Sequence, residues 1–127
     1  LNIRNCKINF KETGAIPLFR QKNVNKYKAT NIIPIVYDSK KVSLNWSTDL
    51  GMVFIDGGHS YESANTDYIS WEPYIAKKGA LVIHDIFENP KDGGQAPYEI
   101  YKKALNNGYK LYERVATIAC LIKILLI

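Results

Sequence analysis

The sequence predicts an α/β domain: a doubly wound, mostly parallel sheet that ends in an antiparallel strand pair. Three observations predict it. Two short apolar runs, Met52–Ile55 and Ala80–Ile83, are each bounded by glycine and each end in polar residues, Asp56 and His84-Asp85. Between them lies an amphipathic segment of helical length, so Asp56 and Asp85 stand about as far apart as the ~30 residues of a β-α-β unit require. Runs apolar on both faces suit strands buried inside a parallel sheet. Two further strand-like stretches, Tyr109–Val115 and Thr117–Ile124, have almost no chain between them and so must be antiparallel neighbours. In such a sheet Asp56 and Asp85 share the C-terminal edge, where open α/β sheets bind ligands.

From the N-terminus, Leu1–Phe10 alternates weakly through Ile3, Cys6, Ile8 and Phe10 and reads as an edge strand. Thr13 is a fitting cap for a helix over Gly14–Lys28, with Pro17 in its opening turn. Ile32–Val36 is a strand candidate whose Pro34 argues for an edge or a beginning. Asp38-Ser39 closes it, and Lys40–Ser47 is a short helix. Ser60 caps the central helix, in which Tyr61, Ala64, Tyr68, Trp71 and Ile75 form one stripe. Glu62 near its start and Lys77 and Lys78 near its end suit the helix dipole, with Gly79 as the stop. Pro73 should kink the last turn or begin a new one. After Asp85 comes an irregular polar loop, Ile86–Gln95, then a helix from Pro97 to Asn106 closed by Gly108.

The totals bound the function. The 127 residues make one domain with a sizeable core, of ordinary composition at 46% apolar and 23% charged. A net charge of +5 is spread over the chain without a basic run beside an aromatic array, so a nucleic-acid partner is not expected. Cys6 and Cys120 lie far apart, outside any metal-ligand or CxxC spacing, which fits a reduced, cytoplasmic protein. The start carries Arg4 and Lys7 and lacks the apolar core of a secretory signal. The apolar tail from Ala116 carries Lys123 and is shorter than the ~20 residues of a membrane span, so no membrane partner is expected.

The candidate site residues sit at strand ends. A carboxylate such as Asp56 at the end of a buried strand is costly unless paired, hydrogen-bonded or bound to metal; the turn Gly57–Ser60 offers backbone N–H groups as the alternative to a ligand. Asp56 and Asp85, with His84 or a water, would give a divalent cation hard oxygen ligands. His59 is a candidate general base, or else a cap for the helix beyond it. Gly57 and Gly58 allow close backbone approach. Asp38 and Ser39 are either ligand contacts or simply the cap of the Lys40 helix.

The pattern VFIDGGHSYE, succeeded by Asp67, Trp71, Pro73 and Gly79 and then His84-Asp85, resembles methyltransferase family 24, a group of class I S-adenosylmethionine-dependent methyltransferases. The loop and helix NPKDGGQAPYEIYKKAL is similar to a subgroup of it, and the likeness runs from about Ile16 to Lys123. It implies a Rossmann-like fold and methyl transfer from S-adenosylmethionine to an oxygen or nitrogen of a small molecule, such as a sugar or secondary metabolite. It implies catalytic roles for His59, Asp56 and Asp85, cofactor contacts at Asp38, Ser39, Asp56 and Gly57, and a metal set of Asp56, Asp85 and His84 for Mg²⁺. Some relatives carry a third carboxylate where this chain has Gly58. The family's glycine-rich GxGxG turn has no match here: the first glycine is Gly14, alone. The expectation is therefore a single domain over 1–127, N-terminally truncated, with 1–12 unassigned beyond an edge segment. The competing expectation is a catalytically inactive fragment acting as a partner-binding module, and a bare sheet edge would allow a homodimer. A different enzyme on the same scaffold is a third.

Overall fold

The computed structural model describes residues 31–33, 35–58 and 60–124. Its elements are α1 (Ser39–Ser43), β1 (Leu50–Ile55), α2 (Tyr61–Trp71), a 3-10 turn (Glu72–Tyr74), β2 (Ile75–Ile83), α3 (Ala96–Asn106), β3 (Tyr109–Val115) and β4 (Ile118–Lys123). The expected strand Leu1–Phe10 and helix Gly14–Lys28 lie outside the described residues.

The strands form one mixed sheet in the order β1-β2-β4-β3. β1 and β2 pair in parallel, whereas β4 is antiparallel to both of its neighbours, β2 and β3. The last strand thus slots between β2 and β3. A single row of paired residues, Ile55–Ile83–Ala119–Arg114, crosses all four strands at the end where β1 and β2 finish. Its first three members are buried.

Burial reflects the apolar pattern. Leu81, Ile83, Ala119 and Leu121 fill the middle of the sheet, and Ile100 and Ala104 of α3 are wholly shielded. Ser60 caps α2 by accepting the Ser63 N–H at 3.1 Å, and Ala64, Tyr68 and Trp71 form its buried stripe. Tyr61, expected on that stripe, is 55% exposed. Ile75 belongs to the next element: Pro73 ends the helix, opens the 3-10 turn, and β2 starts directly after it. Lys77, Lys78 and Gly79 therefore lie within β2, where Lys78 takes φ 62° and the register with β1 shifts between Leu50 and Met52.

The expected strand at Ile32–Val36 is absent among the described residues there: Ile32, Ile33, Ile35 and Val36 are not in a ladder, and Ile33 is 81% exposed. A strand needs a pairing partner, and no described strand pairs with this segment. The helix placed at Lys40–Ser47 is shorter, Ser39–Ser43, with Leu44 exposed. An aromatic cluster holds it. Trp46 meets Trp71 edge-on at 5.5 Å between ring centroids, and the Tyr74 hydroxyl donates to the Ser43 carbonyl at 2.8 Å. Among the described residues no helix is long and apolar enough to cross a membrane.

Candidate functional site

β1 and β2 end side by side, and the residues just beyond the two ends make the site. The parallel ladder runs one residue past β2, since the His84 N–H donates to the Ile55 carbonyl at 3.1 Å. That bond places His84 next to Asp56. Asp85 then turns the chain with φ 59°, a left-handed conformation that Asp tolerates better than most residues but that still costs energy. Ile86 is buried, and its N–H donates to the Thr117 carbonyl in the β3–β4 turn at 2.9 Å.

The outcome is a compact polar cluster. His84 Nδ1 lies 3.3 Å from Asp56 Oδ1 and 3.0 Å from Asp85 Oδ1. One ligand atom from each of the three residues falls within 4.8 Å of the others. Nδ1 is shielded from solvent yet has no aligned hydrogen-bond partner. The two carboxylates are near enough to attract it, but neither stands where a ring N–H would point. A buried polar atom in that state is uncommon and calls for a reason. Two hard oxygens and an imidazole nitrogen this close together are chemically suited to a divalent cation.

The cluster borders a cleft walled by Gly57 and Gly58 after β1, Ala64 of α2, and Pro97 and Ile100 of α3. Sequence reasoning missed Pro97 and Ile100 as site residues; the available signal is that α3 begins straight after the loop leaving Asp85. Gly57 is tightly placed, because a Cβ there would stand 2.8 Å from Asp67 Oδ2. The Ile86–Gln95 loop is braced by contacts within itself. Gln95 Nε2 donates to the carbonyls of Phe87 and Gly93 at 2.9 and 3.2 Å, and a side chain at Gly93 would collide with the Phe87 ring.

The remaining expected site residues are not gathered into this cluster. Asp38 caps α1 by accepting the Lys41 N–H at 2.8 Å, and Ser39 Oγ accepts from Trp71 Nε1 at 2.8 Å. Both thus have structural partners, Asp38 in the cap of α1 and Ser39 across to α2. His59 lies outside the described residues.

A family model described as a methyltransferase domain, Methyltransf_24, matches residues 11–86, more than half of the chain. The chain belongs to methyltransferase family 24. Solved structures carry the same fold. A Staphylococcus aureus protein assigned as a caffeoyl-CoA O-methyltransferase superposes with a TM-score of 0.60 at 14% identity, over 84% of this chain and 58% of its own. The methyltransferase MycE of the mycinamycin biosynthetic pathway, solved with Mg and S-adenosylhomocysteine, gives 0.53 at 16% identity, over 71% of this chain and 32% of its own. The Methanococcus jannaschii fibrillarin pre-rRNA processing protein gives 0.54 at 18% identity, over 86% and 52%. This family 24 chain therefore spans between about a third and three-fifths of the length of these structures. The strand-end cluster of Asp56, His84 and Asp85 lies within the matched family region.

Proposed function

We propose that this family 24 domain takes part in methyl transfer from S-adenosylmethionine to an oxygen or nitrogen of a small molecule, a sugar or secondary metabolite, and that the described residues form the acceptor side of the site. The observation that carries the reading is the Asp56–His84–Asp85 cluster with its shielded, unaligned imidazole nitrogen. S-adenosylmethionine supplies an electrophilic methyl group when bound, and Mg²⁺ would acidify an acceptor hydroxyl.

The chain's own residues have distinct parts. Asp56, Asp85 and His84 would hold the cation, with the two carboxylates offsetting its charge. His59, next to the glycine pair, is the proposed base that takes the acceptor's proton. Gly57 and Gly58 leave backbone open to the cofactor at the end of β1, and Asp38 and Ser39 are the proposed contacts on its adenine side. Ala64, Pro97 and Ile100 give the cleft beside the cluster an apolar wall. Catalysis by such a site is chiefly alignment of acceptor and methyl group. The proposed setting is cytoplasmic, with a small-molecule partner. MycE, solved with Mg and S-adenosylhomocysteine on the same fold, supports pairing a metal with this cofactor.

A second reading, a partner-binding module without catalysis, draws on β1, whose outer edge has no partner among the described strands. Calorimetry of S-adenosylhomocysteine with the folded chain, with and without Mg²⁺, separates the two. Binding near micromolar, about 8 kcal/mol, supports methyl transfer. No heat from a folded chain favours the module.

A further inference from the structure

The segment that carries Asp85 is held from one side by a strand that contributes nothing to the cluster itself. Arg114, near the end of β3, is 27% exposed and reaches back across the sheet end. Its Nη2 donates to the Ile86 carbonyl at 3.3 Å, and its Nη1 pairs with the Glu88 carboxylate. The β3–β4 turn adds the bond from the Ile86 N–H to the Thr117 carbonyl. Ile86 is thus fixed through both its N–H and its C=O, immediately after a residue at φ 59°. A left-handed Asp persists only where its neighbours over-determine it. Arg114 can reach because its register partner Ala119 lies opposite Ile83, the residue before His84.

We infer that Arg114 is a positioning residue for the Asp56–His84–Asp85 cluster, acting through the Ile86 backbone to aim the Asp85 carboxylate. The inference rests on the proposed cation site. Outer partners of metal ligands commonly carry a tenfold or larger share of affinity. A planar guanidinium can serve the Ile86 carbonyl and Glu88 together, whereas an ammonium is a single point charge.

The test is Mn²⁺ binding to the full chain, monitored by the loss of the free-ion paramagnetic signal, alongside amide hydrogen exchange at Ile86. Arg114→Ala should weaken Mn²⁺ binding about tenfold and speed exchange at Ile86, with the melting temperature nearly unchanged. Arg114→Lys should restore part of the affinity, and Glu88→Gln should stay within about twofold of the parent, since Glu88 is exposed and its pair with Arg114 is weak. Unchanged affinity in Arg114→Ala, where Asp85→Asn abolishes binding, overturns the positioning role and leaves the cation site intact. Failure of the parent chain to bind Mn²⁺ better than Asp85→Asn overturns the site and the positioning role together. Equal losses in Arg114→Ala and Glu88→Gln would also overturn it, because the effect would then track the surface charge pair.

Discussion

β2 has a polar cluster at each end, and the two are built on opposite plans. At its start, Glu72 accepts from the Tyr109 hydroxyl at 3.2 Å and pairs with Lys123 at 3.0 Å. Lys123 Nζ also donates to the carbonyls of Glu72 and Ile75, at 3.1 and 3.2 Å. Tyr68 accepts from Asn107 beside them. Charge meets charge, and the Tyr109 hydroxyl and the Lys123 ammonium each have an acceptor. At the other end, His84 faces two carboxylates and is aligned with neither. One cluster completes itself and ties β2, β3 and β4 to the end of α2. The other is left incomplete, as a ligand site must be if a ligand is to finish it.

That contrast predicts a double dissociation, largest at the incomplete end. Asp85→Asn should abolish measurable Mn²⁺ or Mg²⁺ binding, a loss of about 100-fold or more by the scale of metal-ligand networks, while the melting temperature holds or rises. Glu72→Gln should do the reverse. It leaves Lys123 partly buried without its counter-charge, so urea unfolding should show a loss of about 2 kcal/mol with cation affinity intact. Should both substitutions change both quantities alike, the division between the two ends is wrong.

A smaller effect sharpens the picture of the complete end. Burial, the Glu72 charge and the hydrogen bond to Glu72 all push the Tyr109 hydroxyl well above its ordinary 10.0. Burial raises Tyr68 too. The fold therefore keeps a proton that the unfolded chain releases, and stability is full below about pH 10 and falls as pH climbs beyond it. Tyr109→Phe should lose about 1 kcal/mol at neutral pH and flatten that alkaline decline in denaturation curves measured from about pH 8 to 11. A decline as steep as the parent's would place its origin elsewhere.

The smallest effect concerns Gly57. The atom that an added Cβ would meet is the tip of the Asp67 side chain, itself engaged in an interaction that it would have to adjust. Gly57→Ala should cost about 1 kcal/mol of stability and shift S-adenosylhomocysteine affinity, read by calorimetry, because the displaced carboxylate sits against the turn just after Asp56. Unchanged affinity would remove Gly57 from the cofactor side.

The sequence is legible in some places and silent in others for physical reasons. The β1–α2–β2 unit is legible because apolar runs with sharp polar ends leave little choice of register or direction. Asp56, His84 and Asp85 are legible for the same reason, being the first polar residues after buried strands. Ile75 misleads because helical spacing continues through Trp71 to it, while the break comes from Pro73, a local effect that periodicity does not see. Ile32–Val36 has strand composition, but composition supplies no ladder partner. Arg114 is invisible: its relation to Asp85 exists only once β4 has set the register between β3 and β2.

The strand order carries a consequence for when the site comes into being. Strand β4 is the last described strand to leave the ribosome, and it is the one that joins β3 to β2. Until it docks, neither the Thr117 carbonyl of the β3–β4 turn nor the Arg114 guanidinium of β3 has a fixed place, and both of these contacts to Ile86 are missing. The β1–β2 pair can form earlier, since the chain between them is already made. A nascent chain would thus possess the carboxylates long before it possessed their geometry. On the proposed reading, competence to gather a cation would arrive only with the β3–β4 hairpin, so a half-made chain would not present a half-working site.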